Sequence, residues 1–460
     1  MPLRPHYGKI RPISKKINGN LTEHERIDYG RALLSKKNKR GVFRRGKTAG
    51  TDLRDFMNYT SYYGAHVNET AAAARIEKLK QAFFKGENTA CENIFSSPGR
   101  AEILGNHTDH NHGLVIVAAI SCDILAAVKK REDNTVRICS DGYAPIVIDL
   151  NDTERKPKET GTSAALTRGV AHALIEKGYR IGGFTAYLTS NVFKGAGVSS
   201  SAAYEVLIAE IFNRYYLDGA LTPFDKAVAA QYAENVYFGK PCGLLDQSGI
   251  AIGSLVKIDF KDPSSPATEQ LGGIEGYNLI ITNTGGNHAA LTPHYAAIRS
   301  EMEAVASFFG KKVLRDVPYS EFYAGIAAVA DKLGGRAVLR ALHFYEENER
   351  VEIAAKALLS RDYSSFLAAV DGSGISSETR LQNCMVPGET EQRVMLGLEV
   401  SRRILKNGAV RVHGGGFAGS ILAVVPEKET LSYEKEMETV FGKTNVFRAD
   451  VRPFGTAEML

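Results

Sequence analysis

The sequence predicts a mixed fold of α-helices and β-strands, large enough for one large or two medium domains, and three observations carry that reading. Phe184-Thr-Ala-Tyr-Leu-Thr-Ser190 alternates like a strand. A loop of small residues, Gly195-Ala-Gly-Val-Ser-Ser-Ser201, follows it and opens into a helical pattern carried by Ala202, Ala203, Val206, Leu207 and Ile211. The chain has 460 residues, 44% apolar and 24% charged, which is ordinary for a globular protein with real cores.

Composition narrows the class. The most apolar run, Leu114 to Val128, is interrupted by Asp123 and is too short to span a bilayer. The N-terminus has no apolar run like a signal peptide. Five scattered cysteines form no close-spaced metal pair, and an odd number argues against a disulfide framework. The expectation is a reducing, cytoplasmic compartment and no membrane partner. Residues 1–54 hold 15 Lys/Arg against four Asp/Glu, so a basic extension (1–55) precedes a mildly acidic body. A solvated tail is favoured over a nucleic-acid arm. Within it, Gly41-Val-Phe-Arg-Arg-Gly46-Lys47-Thr48 fits a phosphate-loop pattern. That motif works only between a buried strand and a helix, and Ser35-Lys-Lys-Asn-Lys-Arg40 cannot be a buried strand.

Folded sequence is expected to begin near Phe56. Asn68 to Phe84 reads as an amphipathic helix with Ile76, Leu79 and Phe83 on one side. A polar-rich turn, Ser97 to Gly113, carries Arg100, Asn106, His107, Asp109, His110 and His112. Its spacing fits no usual zinc pattern, and hydrogen bonding to a hydroxyl-rich ligand fits as well. Strands follow at Leu114–Ala119, Ile120–Lys129, Thr135–Cys139 and Ile146–Leu150, separated by turn signals at Asp133-Asn134 and Asp141-Gly142. Ala164 to Lys177 is a helix. Beyond the strand at Phe184, the glycine loop meets a helix N-terminus, where free N–H groups and the dipole suit a phosphate.

A helix from Lys226 to Tyr237 ends at Gly239-Lys-Pro241. Cys242-Gly-Leu-Leu-Asp246-Gln-Ser-Gly249 then sets an acid, either a helix cap or a catalytic group, in an apolar segment. Breaks at Asp262–Pro266 and Gly272-Gly273 place a boundary near 265–276. The second half reads as a strand at Tyr277–Thr282 and helices near His294–Phe309, Arg336–Tyr345, Glu349–Leu359 and Thr390–Leu405. It closes on a second glycine loop, His413-Gly-Gly-Gly-Phe-Ala-Gly-Ser420, leading into a strand.

Four of these motifs, standing in this order, resemble the GHMP small-molecule kinases, and within them the galactokinases. Arg100 to Gly113 is similar to the family's sugar-binding signature, Gly195 to Ala203 to its phosphate loop, and His413 to Ser420 to its third glycine motif. Pro241 to Gln247 is similar to the segment carrying its catalytic aspartate. The match runs from about 97 to 425.

The resemblance implies a two-domain α+β fold (56–270 and 271–460) with the active site in the cleft between domains. It implies ATP, Mg²⁺ and transfer of the γ-phosphoryl group to a sugar C1 hydroxyl; the expected working unit is a monomer. Carried over position by position, Asp246 is the base and Arg100 the cation that holds it ionised. Asn106, His107, Asp109, Gly243 and Tyr295 match sugar-contacting positions. Gly195, Ala196, Gly197, Val198, Ser199, Ser200 and Ser201 would wrap the phosphates. Ser201 and Glu234 match the magnesium ligands, both hard oxygen donors.

The chain also departs from the family. Galactokinases carry Glu where this chain has Asn106, Asn where Glu102 stands, and Tyr where His110 stands. Ala418 replaces a glycine of the third motif. The family's Glu meets the sugar's C6 hydroxyl, whereas an amide can both donate and accept. The expectation is that Asn106 reads a C6 substituent and tolerates a modified one. The alternatives are a kinase for galacturonate or N-acetylgalactosamine, and a non-enzymatic sugar sensor on the same fold. The complete Ser199–Ala203 run and Asp246 favour an enzyme.

Overall fold

The computed structural model describes residues 59–64, 66–192, 197–286 and 291–459. The basic extension with its phosphate-loop-like stretch, and Gly195 and Ala196 of the glycine loop, lie outside the described residues.

Among the described residues the strands form two sheets. The first holds β1 (Asn93–Leu104), β2 (Leu114–Lys130), β3 (Thr135–Ser140), β4 (Ile146–Asp149), β5 (Phe184–Ser190), β6 (Leu255–Asp259), β7 (Ala267–Gln270) and β12 (Ala457–Glu458). Its main path runs β12-β1-β2-β5-β3-β4, with β6 paired onto the start of β2 and β7 onto β6. The second holds β8 (Tyr277–Gly285), β9 (Ala409–His413), β10 (Gly419–Pro426) and β11 (Val446–Ala449), in the antiparallel order β11-β8-β10-β9. Only β3 and β5 pair in parallel among these ladders.

The helices are α1 (Tyr59–Tyr63), α2 (Glu69–Glu87), α3 (Ser163–Glu176), α4 (Ser200–Tyr216), α5 (Pro223–Tyr232), α6 (Leu245–Ile252) and α7 (Thr292–Phe308). They continue with α8 (Tyr319–Ala324), α9 (Ile326–Leu333), α10 (Gly335–Leu359), α11 (Tyr363–Ser376), α12 (Arg393–Ile404) and α13 (Thr430–Phe441). Caps explain several starts. Asn68 accepts from Ala71 N ahead of α2, and Thr222 and Asp225 form a reciprocal capping box ahead of α5. Buried aliphatic side chains of β1, β2 and β5, α3 to α6, α10, α11 and the inner face of the second sheet form one continuous core.

Two pairs of expected elements fuse. Leu114–Ala119 and Ile120–Lys129 are one strand, β2, which serves β6 with its first third and β5 with its last. Arg336–Tyr345 and Glu349–Leu359 are one helix, α10. The expected helix Lys226–Tyr237 starts earlier, at Pro223, and widens into a π-helical turn over Ala233–Phe238. The first half of the polar-rich stretch is not a turn but the buried strand β1.

Candidate active site

A cavity of about 500 Å³ opens where β1, the N-terminus of α4, the start of α6, α7 and the β9–β10 glycine loop converge. Arg100, His107, Asp109, Gly197, Val198, Ser199, Ser200, Ser201, Gly243, Asp246 and Tyr295, all singled out from the sequence, line it. A second cavity, of about 530 Å³ between α2 and β11, is lined by none of them.

Arg100 arrives on β1. Register shifts at Pro98/Gly99 and at Glu102/Leu104 bracket it, and such bulges re-aim side chains. Residues two apart on a strand share a face, so Arg100 and Glu102 both turn to the cavity. Arg100 Nε donates to Asp246 Oδ1 at 2.7 Å, and Nη1 donates to Gly197 O. The other oxygen of Asp246 accepts from the Ser199 hydroxyl.

Burial would raise the Asp246 pKa. The charge and hydrogen bond of Arg100 outweigh it, with help from Ser199 and Lys240, and hold the carboxyl below its ordinary value. Asp246 also sits in the first turn of α6, where the helix dipole favours an anion. About a third of its side chain, 31%, remains open.

Gly197 and Ser199 take φ of +65° and +60° at the entry to α4. In that left-handed conformation Ser199 does not cap the helix with its side chain; its hydroxyl goes to Asp246 instead. Two residues on, Ser201 Oγ donates to Glu234 Oε1 at 3.0 Å. Glu234 stands on the π-helical turn, a type of irregularity frequent at functional sites. It is nearly fully buried and reaches the cavity through Ser201 and Lys240.

The other wall is the β1–β2 loop. Thr108 Oγ1 lies 2.9 Å from Gly105 O and 2.8 Å from Leu114 O, and its one proton, shared between these carbonyls, ties the loop's two ends. His107, at φ +57°, reaches Gly415 O with Nε2 at 3.0 Å. Asp109 accepts from Leu245 N at 3.1 Å and packs on Gly243 so closely that a Cβ there would lie 1.8 Å from its Oδ2. That contact is why residue 243 is glycine. Burial, more than the neighbouring Asp246 and Glu102, raises the Asp109 pKa. Tyr295 on α7 donates to Gly416 O at 3.0 Å, and burial pushes its phenol up to about 12.

Asn106 is the correction. It is fully buried and does not line the cavity. Its Nδ2 donates to Glu102 Oε1 (2.7 Å) and Gly414 O (2.8 Å), and its Oδ1 accepts from Asn383 Nδ2 (2.8 Å). Every strong bond the amide can make is taken inside the protein, so the expectation that it reads a sugar substituent fails.

Three charged residues on the cavity wall were given no role by the sequence reading. Lys240 donates to Glu234 Oε1 at 2.9 Å. Burial works against its charge, but Glu234 and then Asp246 raise its pKa. Arg299 lies one helical turn beyond Tyr295, and Glu102 two residues beyond Arg100. The i+2 and i+4 spacings from residues already chosen were the available signal. Behind Glu234, the buried Glu205 carboxyl is pushed well above its ordinary range by desolvation and by Glu234's charge.

The chain is similar to known proteins over most of its length. The family model for the galactokinase galactose-binding signature matches residues 81–130, and the GHMP kinases N terminal domain matches 165–254. The chain is 32% identical to a galactokinase of Streptomyces coelicolor over 356 residues, covering 76% of this chain and 89% of that one. A galactokinase of Clostridium tetani is 29% identical over 376 residues, 80% of this chain and 93% of that one. The Lactococcus lactis galactokinase complexed with galactose shares the fold with a TM-score of 0.74 at 23% identity, covering 83% of this chain and 99% of that one. The Methanococcus jannaschii mevalonate kinase shares it more distantly, with a TM-score of 0.56 at 14% identity over 78% of this chain and 98% of that one.

Proposed function

We propose, from the premise that the chain belongs to the galactokinase family of GHMP kinases, that it transfers the γ-phosphoryl group of ATP to the C1 hydroxyl of galactose. One observation carries this reading. Asp246 is held by Arg100 and Ser199 at a point flanked by the phosphate-loop serines and by His107, Asp109 and Tyr295.

In this reading the sugar lies against His107, Asp109, Gly243 and Tyr295, with its C1 hydroxyl toward Asp246. Each Asp246 oxygen keeps a lone pair beyond its bond to Arg100 or Ser199. As the sugar oxygen bonds to the γ-phosphorus, Asp246 takes the hydroxyl proton, and the bond from that phosphorus to the bridging oxygen breaks to release ADP. Positioning and charge neutralisation dominate such transfers. The phosphates would meet the N–H groups from Gly197 to Ser201 at the start of α4, with Gly195 and Ala196 completing the loop.

Ser201 and Glu234 fit Mg²⁺. They present two adjacent oxygens, one of which already holds the ammonium of Lys240, and among the described residues no larger cluster of acids and histidines exists to chelate a metal alone. Two protein oxygens plus phosphate oxygens are the donor set Mg²⁺ takes. When bound, the ion neutralises charge developing on the transferred phosphoryl.

The two halves, 56–270 and 271–460, are read as the two domains, since the cavity draws Arg100 to Asp246 from one and Tyr295, Arg299, Gly414 and Gly415 from the other. All five cysteines are free, which supports the cytoplasm as the compartment, and we read the working unit as a monomer.

The test is ATP-dependent phosphorylation across galactose, galacturonate, N-acetylgalactosamine, glucose and mannose. Galactose should give the highest kcat/KM. ADP release with none of these sugars would overturn the reading and favour a sensor.

A further inference from the structure

Glu102 is a buried carboxylate on the cavity wall whose bonds are only half used. Its side chain is 6% exposed. Oε1 accepts from Asn106 Nδ2 at 2.7 Å and from Arg411 Nη2 at 2.9 Å. The backbone is fixed too: Glu102 N donates to His413 Nε2 at 3.1 Å, and its carbonyl accepts from Arg411 Nη1 at 3.2 Å. Arg411 is fully buried and sits on β9, in the second sheet.

Oε2 is different. Both side-chain bonds go to its twin and no described residue donates to Oε2, which leaves it the oxygen open to the cavity that Glu102 lines. Its charge is felt at Asp109, on the wall that carries the sugar-facing groups. A rigid acceptor oxygen, clamped by its twin and unmet by protein, calls for a donor from the ligand. Leaving such an oxygen unmet is costly. A hydroxyl satisfies it, whereas a carboxylate or phosphate oxygen would set acceptor against acceptor.

We infer that Glu102 is the specificity-determining acceptor of the sugar pocket. Its Oε2 takes a hydroxyl of a neutral sugar and turns away sugars with an anionic group at that position, while Asn106 and Arg411 serve to aim it. This rests on the sugar-kinase reading. It also reverses the expectation from Asn106: the pocket selects against a uronate rather than for one.

The experiment compares wild type with Glu102→Gln and Glu102→Asp on galactose, its monodeoxy analogues and galacturonate, with ATP saturating. For wild type, one monodeoxy analogue should lose about 10–100-fold in kcat/KM, the range of a charge-assisted hydrogen bond, and galacturonate should be the poorest substrate or competitor. In Glu102→Gln the KM for galactose should rise about 10–100-fold. The sensitivity to that one missing hydroxyl should fall, and galacturonate should gain relative to galactose. The KM for ATP should stay unchanged. Glu102→Asp, which keeps the acceptor, should recover part of the loss and serves as the probe if the Gln variant is unstable.

Equal losses on all sugars, with the deoxy penalty intact, would mean that Glu102 only braces Arg411 and His413, and would overturn the inference. A wild type that favours galacturonate would do the same. A wild type that phosphorylates none of the sugars would instead overturn the function proposed above.

Discussion

Asp246 is the residue on which the proposed chemistry turns, and its surroundings state what a substitution should do. Arg100 and Ser199 occupy one lone pair on each oxygen. Asp246→Asn keeps the shape and removes the proton acceptor, so kcat should fall about 10²–10⁴-fold while nucleotide affinity holds. Stopped-assay kinetics with calorimetric nucleotide binding check both halves. The lowered pKa adds a sign: the base stays ionised to below the ordinary aspartate range, so Asp246 should put no acid limb on kcat/KM above that range. Asn106 carries the opposite prediction. Asn106→Ala takes a donor from Glu102 Oε1 and from Gly414 O and an acceptor from Asn383 Nδ2, and should cost about 1–3 kcal/mol of stability, read by urea unfolding. Asp246, Arg100, His107 and Tyr295, chosen from the sequence by residue type and motif spacing, come together on the wall of one cavity. Sequence reasoning misplaced Asn106 because nothing in a sequence says which way a loop amide turns, and here the turn is set by Glu102, Gly414 and Asn383, up to 308 residues away.

At the scale of elements, α10 buttresses the sugar-side loop. Glu347 Oε1 accepts from Gly105 N at 3.0 Å, Asn348 Oδ1 from Leu114 N at 2.6 Å, and His343 Nε2 meets Asn106 O at 2.9 Å. These residues explain why one helix looked like two. Glu347 and Asn348 interrupt the apolar pattern, but they are satisfied by the β1–β2 loop rather than by water. Asp123, which interrupts the most apolar run of the sequence, is buried in the middle of β2 and is likewise satisfied inside the protein: it accepts from Tyr63 OH at 2.8 Å as well as from Ser96 and Arg75.

His343 gives the element a pH dependence. Burial lowers its pKa to about 4, against the charge of Glu347 and its bond to Asn106 O, with Arg350 and His107 adding to the depression. The unfolded chain titrates near 6.5, so below that pH it binds the proton that the folded state refuses. The stability held by neutral His343 is therefore complete above about pH 6.5 and is lost progressively as pH falls towards 4, by an amount on the order of 3 kcal/mol. His343→Gln should flatten that slope in urea midpoints measured from pH 7 to 4. An unchanged slope would assign the acid sensitivity to other groups.

Across the whole molecule, the cavity walls among the described residues run from Arg100 to Gly415, and the four sequence motifs behind the proposed function fall in nearly the same span. Deleting residues 1–54 should therefore leave kcat and the KM for ATP within about twofold, and Lys47→Ala should do the same; a large loss of ATP affinity in either would give the extension's phosphate-loop-like stretch a role. The mixed fold and most long elements were legible because periodicity reports a local pattern of burial. The last strand was not, since β12 is two residues long and gains its place only by pairing with β1. The central claim is that this cavity moves a phosphoryl group to the anomeric oxygen of galactose. Phosphorus NMR of protein, galactose, ATP and Mg²⁺ tests it most directly. The account predicts a new phosphomonoester signal coupled to the anomeric proton, forming at least 100-fold more slowly with Asp246→Asn, on the order expected for loss of a general base. A phosphate attached at another carbon, or ATP consumed to ADP and inorganic phosphate alone, would contradict it.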